Sequence, residues 1–286
     1  MREIYTHGHH DSVVRSHGHR TVTNSAGYLL PHLRPGMNVL DVGCGPGSIT
    51  LDLAELVAPG HVMGVDSAPE AIRRARQLAH DRGDTRTSFA TRSVYQLASS
   101  WPAGPTPTDP EARPDQPLAP PSQVDVVHAH QVLQHLADPV AALVEMRHVC
   151  RPGGLVAVRD ADYAAMTWYP QVPGLDRWLA LYRAVATDNG GEPDAGRRLL
   201  SWAQAAGFER IEPSASTWCY ATPSQRQTWA EDWVERAQHS AFAEHALRLN
   251  LATRADLADI AQAWRDWAAC RDGWFAILHG EILAWA

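Results

Sequence analysis

The chain has 286 residues, 45% of them hydrophobic, with a formal charge of −7 and four cysteines. That length buries a full core in one or two domains, and a negative chain without a basic run is a poor partner for nucleic acid, whose phosphates need Lys and Arg. No apolar signal core opens the sequence, no stretch approaches the roughly 18 apolar residues of a membrane span, and Cys44, Cys150, Cys219 and Cys270 form no C-x-x-C pair, which suits a reduced, cytoplasmic protein without a zinc centre.

Residues 1–35 hold His7, His9, His10, His17, His19 and His32, six of the fifteen histidines. No carboxylate or cysteine cluster completes a metal site around them. The plain alternative is a polar arm leading into a helix whose apolar face runs from Asn24 to Leu30, with Pro35-Gly36 as punctuation.

Val39-Leu40-Asp41-Val42 is a short apolar run broken by one acid, the pattern of a buried strand. Gly43, Gly45 and Gly47 follow at alternate positions, and Ser48 to Ala54 is helical in pattern. A strand entering a helix through a glycine turn brings backbone close to a nucleotide-like ligand. The dinucleotide fingerprint G-x-G-x-x-G fails at Ser48, and no Lys-Ser/Thr pair makes a phosphate loop. Asp41 would repel a pyrophosphate and suit a cation: two unit charges about 4 Å apart are worth roughly 4 kcal/mol at an effective dielectric near 20.

A helix over Ile49–Val57 ends at Pro59-Gly60, and His61–Asp66 reads as the second parallel strand. Asp66 closes it 23 residues after Gly43, where such folds place the acid that accepts ribose hydroxyls. Ser67 and Glu70 have the spacing of a capping box for the helix over 69–81. Thr87–Thr91 is a weak third strand, followed by Ser93-Val94. Residues 101–122 carry eight prolines and no apolar period, a loop insertion rather than an element. Val124–His130 is the fourth strand, with His128 and His130 alternating along one face. Gln131–Leu136 turns into a helix from Asp138-Pro139 to Val149. After Arg151-Pro152-Gly153-Gly154, Leu155–Arg159 is the fifth strand, ending at Asp160. Helices over Leu175–Asp188 and Arg197–Ala206 precede a sixth strand, Arg210–Tyr220. Residues 224–270 read as two or three helices with Trp229, Trp233, Trp264 and Trp267 at helical spacing. Phe275–Trp285 is the last strand.

The run from Val39 to Gly47, with Asp41 and all three glycines, resembles motif I of the class I S-adenosylmethionine (SAM) methyltransferases. The R-P-G-G turn before a strand strengthens the likeness, which spans roughly residues 36–160 and 197–220, and within the family points to its small-molecule, natural-product and ubiquinone-menaquinone-type branch. It implies an α/β fold: a Rossmann-like, seven-stranded, mostly parallel sheet with helices on both faces and a helical lid inserted before the last strand. The chain then divides into an arm and helix over the cofactor (1–35), a SAM-binding core (36–220), the lid (221–272) and the closing strand (273–286).

The resemblance implies that Asp41 meets the amino-acid ammonium of SAM, that Gly43, Gly45 and Gly47 form its cradle, and that Asp66, with Ser67 beside it, meets the ribose. The family places Asp or Asn at position 93 for the adenine amine, with the next backbone N–H, here of Val94, on a ring nitrogen; Ser93 departs from that pattern. His130 is expected to reach the cofactor. An arm that folds over the cofactor makes Tyr5 a further cofactor contact and His9 and His10 contacts to cofactor or acceptor.

Methyl transfer needs an aligned nucleophile, methyl and sulfur in a dry site, and a hydroxyl acceptor also needs a base within hydrogen-bond reach. His135 after the fourth strand and Asp160 at the end of the fifth match the His and Asp of sugar O-methyltransferases, the Asp fixing the tautomer of the His. The alternative for His135 is a turn histidine with structural bonds only. Trp229 and Trp233 are either core or the apolar wall of an acceptor pocket. A divalent metal on His128, His130, Asp160 and Asp162 lacks the carboxylate-rich set of catechol-type enzymes, so none is expected. No Asn/Asp-Pro-Pro-Tyr tetrapeptide follows the fourth strand, which counts against DNA or protein-amide methylation. The reading is transfer to a small, partly apolar acceptor of secondary metabolism, O-methylation ahead of C- or N-methylation. A SAM-binding protein catalysing a cyclisation stays open, while Ser48 and Asp41 disfavour an NAD-linked oxidoreductase. An exposed, tryptophan-rich lid would be a surface for a homodimer.

Overall fold

The computed structural model describes residues 20–98 and 123–286. Tyr5, His9, His10 and the 101–122 insertion therefore lie outside the described residues. The central sheet runs β3-β2-β1-β4-β5-β8, with β6 and β7 both on β8. β1 (Val39–Val42), β2 (Val62–Asp66), β3 (Thr87–Thr91), β4 (Val124–His130) and β5 (Cys150–Ala161) are parallel neighbours. Covered on both faces, β1, β2 and β4 are largely buried end to end, as all-parallel strands require. β8 (Trp274–Trp285) enters antiparallel between β5 and β7 (Arg210–Tyr220).

The sheet has eight strands, one more than expected. The extra one is β6 (Thr167–Tyr169), which pairs with Trp274–Ala276. β8 is 12 residues long and β5 covers it only from His279 to Trp285, so its first residues recruit a second, short neighbour.

Helices cover both faces. The 20–33 segment, with α1 (Val22–Ser25), and α2 (Ser48–Val57) pack Leu29, Ile49 and Leu53 against Val39, Val126, Leu155 and Leu283. α3 (Pro69–Asp81) packs Ile72 and Ala75 beside Phe89 of β3. On the opposite face α4 (Pro139–Val149) and α6 (Leu199–Ala205) pack Leu143, Met146 and Leu199 against Leu40, Val127, Val156 and Ile282. Asp138 Oδ1 caps α4 from the N–H of Ala141 at 2.9 Å, with Pro139 at the first turn.

α5 (Pro173–Asp188), α7 (Pro223–His239), α8 (Ala241–Arg248) and α9 (Arg254–Ala269) form an aromatic-rich layer over the start of β8. Trp178 lies 4.5 Å from Trp233 and 4.9 Å from Trp264, ring centre to ring centre and edge to face, the arrangement aromatic quadrupoles prefer. The lid tryptophans turn inward: Trp233, Trp264 and Trp267 are fully buried and Trp229 nearly so. The exposed tryptophan-rich surface expected for a homodimer is therefore not present on these helices, because the rings bury one another. Among the described residues no helix is long and apolar enough to cross a membrane.

Candidate active site

β1 ends at Val42 and the chain turns through Gly43 (φ 66°), Gly45 (φ 54°) and Gly47 (φ 85°). This left-handed region is costly for any residue with a Cβ. A Cβ on Gly43 would also lie 2.4 Å from Cγ2 of Val132, so the glycine lets the turn after β4 close on the loop. Asp66, at the end of β2, holds the loop from the side: its Oδ2 accepts the N–H of Gly45 at 3.0 Å and its Oδ1 that of Ala68 at 2.9 Å. An ionised carboxylate accepts at about four positions, so one group can fix the loop and receive a diol. Ser67 is exposed. The Ser67–Glu70 capping box does not form: Ala68 is the N-cap of α3 without a side-chain bond, and Glu70 pairs with Arg73 and Arg74 instead. Ser93 Oγ accepts the N–H of Tyr95 at 3.3 Å, capping the turn that holds buried Val94.

Asp41 is not at the surface of the loop. It is 2% exposed, accepts from Thr50 Oγ1 at 2.6 Å, and meets His128 Nδ1 at 2.8 Å. The register explains the pair, since Asp41 and His128 are partners across β1 and β4. Thus the acid anchors the first turn of α2 and the fourth strand beneath the loop.

One row nearer the carboxyl edge, His130, Arg159, Glu281 and Ser214 are successive partners across β4, β5, β8 and β7. Paired residues point to the same face, here the face covered by the 20–33 segment. Glu281 is fully engaged: it accepts from Arg159 Nε at 3.1 Å, Ser214 Oγ at 2.8 Å and Ser216 Oγ. Arg159 is 1% exposed and lies over the ring of Trp218 at 4.9 Å, yet Nη1 and Nη2 have no partner among the described residues. His130 likewise has both ring nitrogens unpaired. Burial, then the charges of Arg20 and Arg159, hold it well below the usual histidine range, so it is uncharged at neutral pH. Gln131 sits in left-handed backbone (φ 54°); its Oε1 accepts from Arg20 Nη2 at 2.6 Å and its amide nitrogen faces His279 Nε2 at 2.9 Å. Since His279 Nδ1 faces Ile277 O at 3.2 Å, the ring carries its proton on Nδ1. Trp218 closes the row, its indole N–H donating to Asn24 O at 2.6 Å.

His135 and Asp160 sit next to each other in the fold without the expected hydrogen bond. By strand alternation Asp160 shares the face of Val156 and Val158, opposite Arg159. Its Oδ1 accepts the N–H of Gln134 at 3.2 Å, and Oδ2 has no partner among the described residues. Burial pushes its carboxyl up to about 7. His135 Nε2 faces the Gln134 amide at 3.1 Å, and burial lowers the ring to about 3. Asp160 thus holds the turn that carries His135, through backbone rather than through the ring. Among the described residues no three His, Cys, Asp or Glu side chains cluster as metal ligands; Asp162 is taken by Arg197 at 2.6 and 2.7 Å.

Sequence reading missed Arg159, Gln131, Trp218, His279 and Glu281. A signal existed for two of them: a charged residue at the end of L-V-A-V-R and another in G-E-I-L-A-W, both inside apolar strands.

A methyltransferase-domain family profile matches residues 33–207. Over 98% of its length the chain is 32% identical to an uncharacterized methyltransferase of Schizosaccharomyces pombe, covering 95% of that protein. It is 27% identical to a probable methyltransferase of Aspergillus luteorubrus, covering 98% and 96% of the two chains. In fold it is similar to the YcgJ protein of Bacillus subtilis, at 16% identity and a TM-score of 0.53 over 92% of this chain and 97% of that one. The chain belongs to the methyltransferase-domain family and is a class I SAM-dependent methyltransferase. The donor set fits that cofactor: a left-handed glycine cradle closed against Val132, with a carboxylate at the end of β2 bonded to the cradle.

Proposed function

We propose that the acceptor is a small, partly apolar molecule held between the carboxyl edge of β4 and β5 and the aromatic wall of Trp218, Tyr220 and Trp229, and that the methyl goes to an oxygen. The observation that carries this is His130, uncharged, buried, and with both ring nitrogens unpaired among the described residues at the end of β4. Tyr220 stacks on Trp229 at 4.5 Å, with Trp233 behind Trp229 at 6.0 Å, so Trp229 lines this wall and Trp233 supports it.

Bound SAM supplies an electrophilic methyl group on a sulfonium. The glycine cradle and Asp66 would position it, Asp66 by accepting the ribose hydroxyls. Asp41 would act at one remove, by fixing α2 through Thr50 and β4 through His128. An incoming hydroxyl would hydrogen-bond to His130, which takes its proton as the oxygen gains the methyl. Asp160 is the second candidate for the proton, favoured by its unpaired Oδ2 and a carboxyl raised to about 7; His135 instead faces the Gln134 amide with its Nε2. The helices above exclude water, which strengthens every charge interaction inside.

Four thiols without disulfides, with Cys219 exposed, favour a reducing compartment, and we assign the chain to the cytoplasm and to the secondary metabolism of small molecules. The test is turnover, read as S-adenosylhomocysteine formed from SAM with matched phenols, carboxylic acids, amines and thiols. Turnover with oxygen nucleophiles, lost in His130→Ala with SAM affinity intact, supports the proposal. Turnover confined to amines or carbon nucleophiles, or SAM bound and never consumed, contradicts it.

A further inference from the structure

Resting on that placement of the acceptor, we propose that Arg159 and His130 form an anion subsite, and that the methyl acceptor carries a carboxylate which docks there. A buried guanidinium normally spends its five N–H donors, because each unpaired donor costs the full desolvation of that group. Arg159 spends only Nε, on Glu281 and Ser216 at 3.1 Å each. Nη1 and Nη2, the two nitrogens that bind a carboxylate side by side, have no partner among the described residues. His130, its register partner on β4, adds one ring N–H.

The acids near the row leave that edge open. Among the described residues Glu281 is the acid in register with Arg159, and it already holds Arg159 Nε and two serine hydroxyls. Asp41 is committed to His128 one row down, and Asp160 lies on the opposite face with the N–H of Gln134. Neither hydrogen-bonds Arg159, so a carboxylate would meet the Nη edge directly. The cofactor has a carboxylate too, but its cradle lies on β1 and β2, whereas Arg159 is on β5 beside Trp218 and β8.

The test uses benzoate as probe and benzamide as its uncharged counterpart, titrated by calorimetry into protein saturated with S-adenosylhomocysteine. Wild type is expected to bind benzoate about tenfold or more tightly than benzamide, the range of one charged hydrogen-bond pair. In Arg159→Met with Glu281→Gln, which leaves no unpaired buried charge, that preference disappears while S-adenosylhomocysteine affinity changes less than about twofold. Wild type without a preference, or a preference that survives in the double variant, overturns the proposal. So does a double variant in which S-adenosylhomocysteine affinity falls instead, because Arg159 would then serve the cofactor's own carboxylate. Should that variant not fold, the wild-type comparison and Arg159→Lys decide, since Lys keeps the charge and loses the fork: benzoate affinity must drop. If S-adenosylhomocysteine itself fails to bind, the reading of the glycine cradle is at fault, and the benzoate preference measured without it still tests Arg159.

Discussion

Asp66 Oδ2 accepts the N–H of Gly45 at 3.0 Å, so the acid at the end of β2 and the middle glycine of the loop after β1 are one unit. The residue expected to read the ribose also holds the glycine turn proposed to cradle the cofactor. Asp66→Ala removes two charged hydrogen bonds, each about 1.5–3 kcal/mol, along with the proposed ribose contact. Affinity for S-adenosylhomocysteine should fall at least about a hundredfold in calorimetry. Asp66→Asn, which keeps an acceptor, should fall between the two.

Gly43→Ala places a Cβ 2.4 Å from Val132 Cγ2 at a φ of 66°. The backbone term alone costs about 1–3 kcal/mol. The variant should unfold at lower urea and bind SAM more weakly. Adding Val132→Ala relieves the clash but not the φ, so the double variant should recover only part of the loss.

His128→Ala leaves Asp41 buried with Thr50 as its remaining side-chain partner. Leaving a buried acceptor without its hydrogen bond costs about 1–3 kcal/mol, which urea unfolding will read. Asp41→Asn in the same background should change stability less than it does in wild type, because the His128 bond is already lost.

Asp160 and His135 pull stability in opposite directions with pH. Burial raises the folded pKa of Asp160 from 3.8 to about 7, so the folded state holds the extra proton and stability falls as pH rises between those values. Burial lowers His135 from 6.5 to about 3, so the unfolded state holds the extra proton and stability rises with pH over that window. Unfolding midpoints measured from about pH 4.5 to 7.5 should separate them. Relative to wild type, Asp160→Asn gains stability as pH rises toward 7, and His135→Gln loses its rise below 6.5.

The glycine loop, the parallel strands and the acid of β2 are legible in the sequence because their signals are local: an apolar run, a positive-φ turn, a spacing. The site's far side is not. Arg159 and Glu281 are 122 residues apart, and only the insertion of β8 beside β5 makes them neighbours; read alone, Arg159 marks a strand end. The same long-range pairing hides β6, three residues with no pattern of their own. Trp229 and Trp233 have the same helical spacing whether they line a pocket or fill a core, and only the facing rings of Trp178 and Trp264 decide that Trp233 is core. The His135–Asp160 bond failed for a related reason: a strand's alternation turns Asp160 toward the backbone of Gln134.

The most direct test of the account is a calorimetric titration of the wild-type chain with SAM, S-adenosylhomocysteine and NAD in parallel. Saturable, micromolar binding of the first two, lost in Asp66→Ala, and no binding of NAD are expected. Absence of heat from SAM and S-adenosylhomocysteine at millimolar ligand, or binding that survives intact in Asp66→Ala, would contradict it.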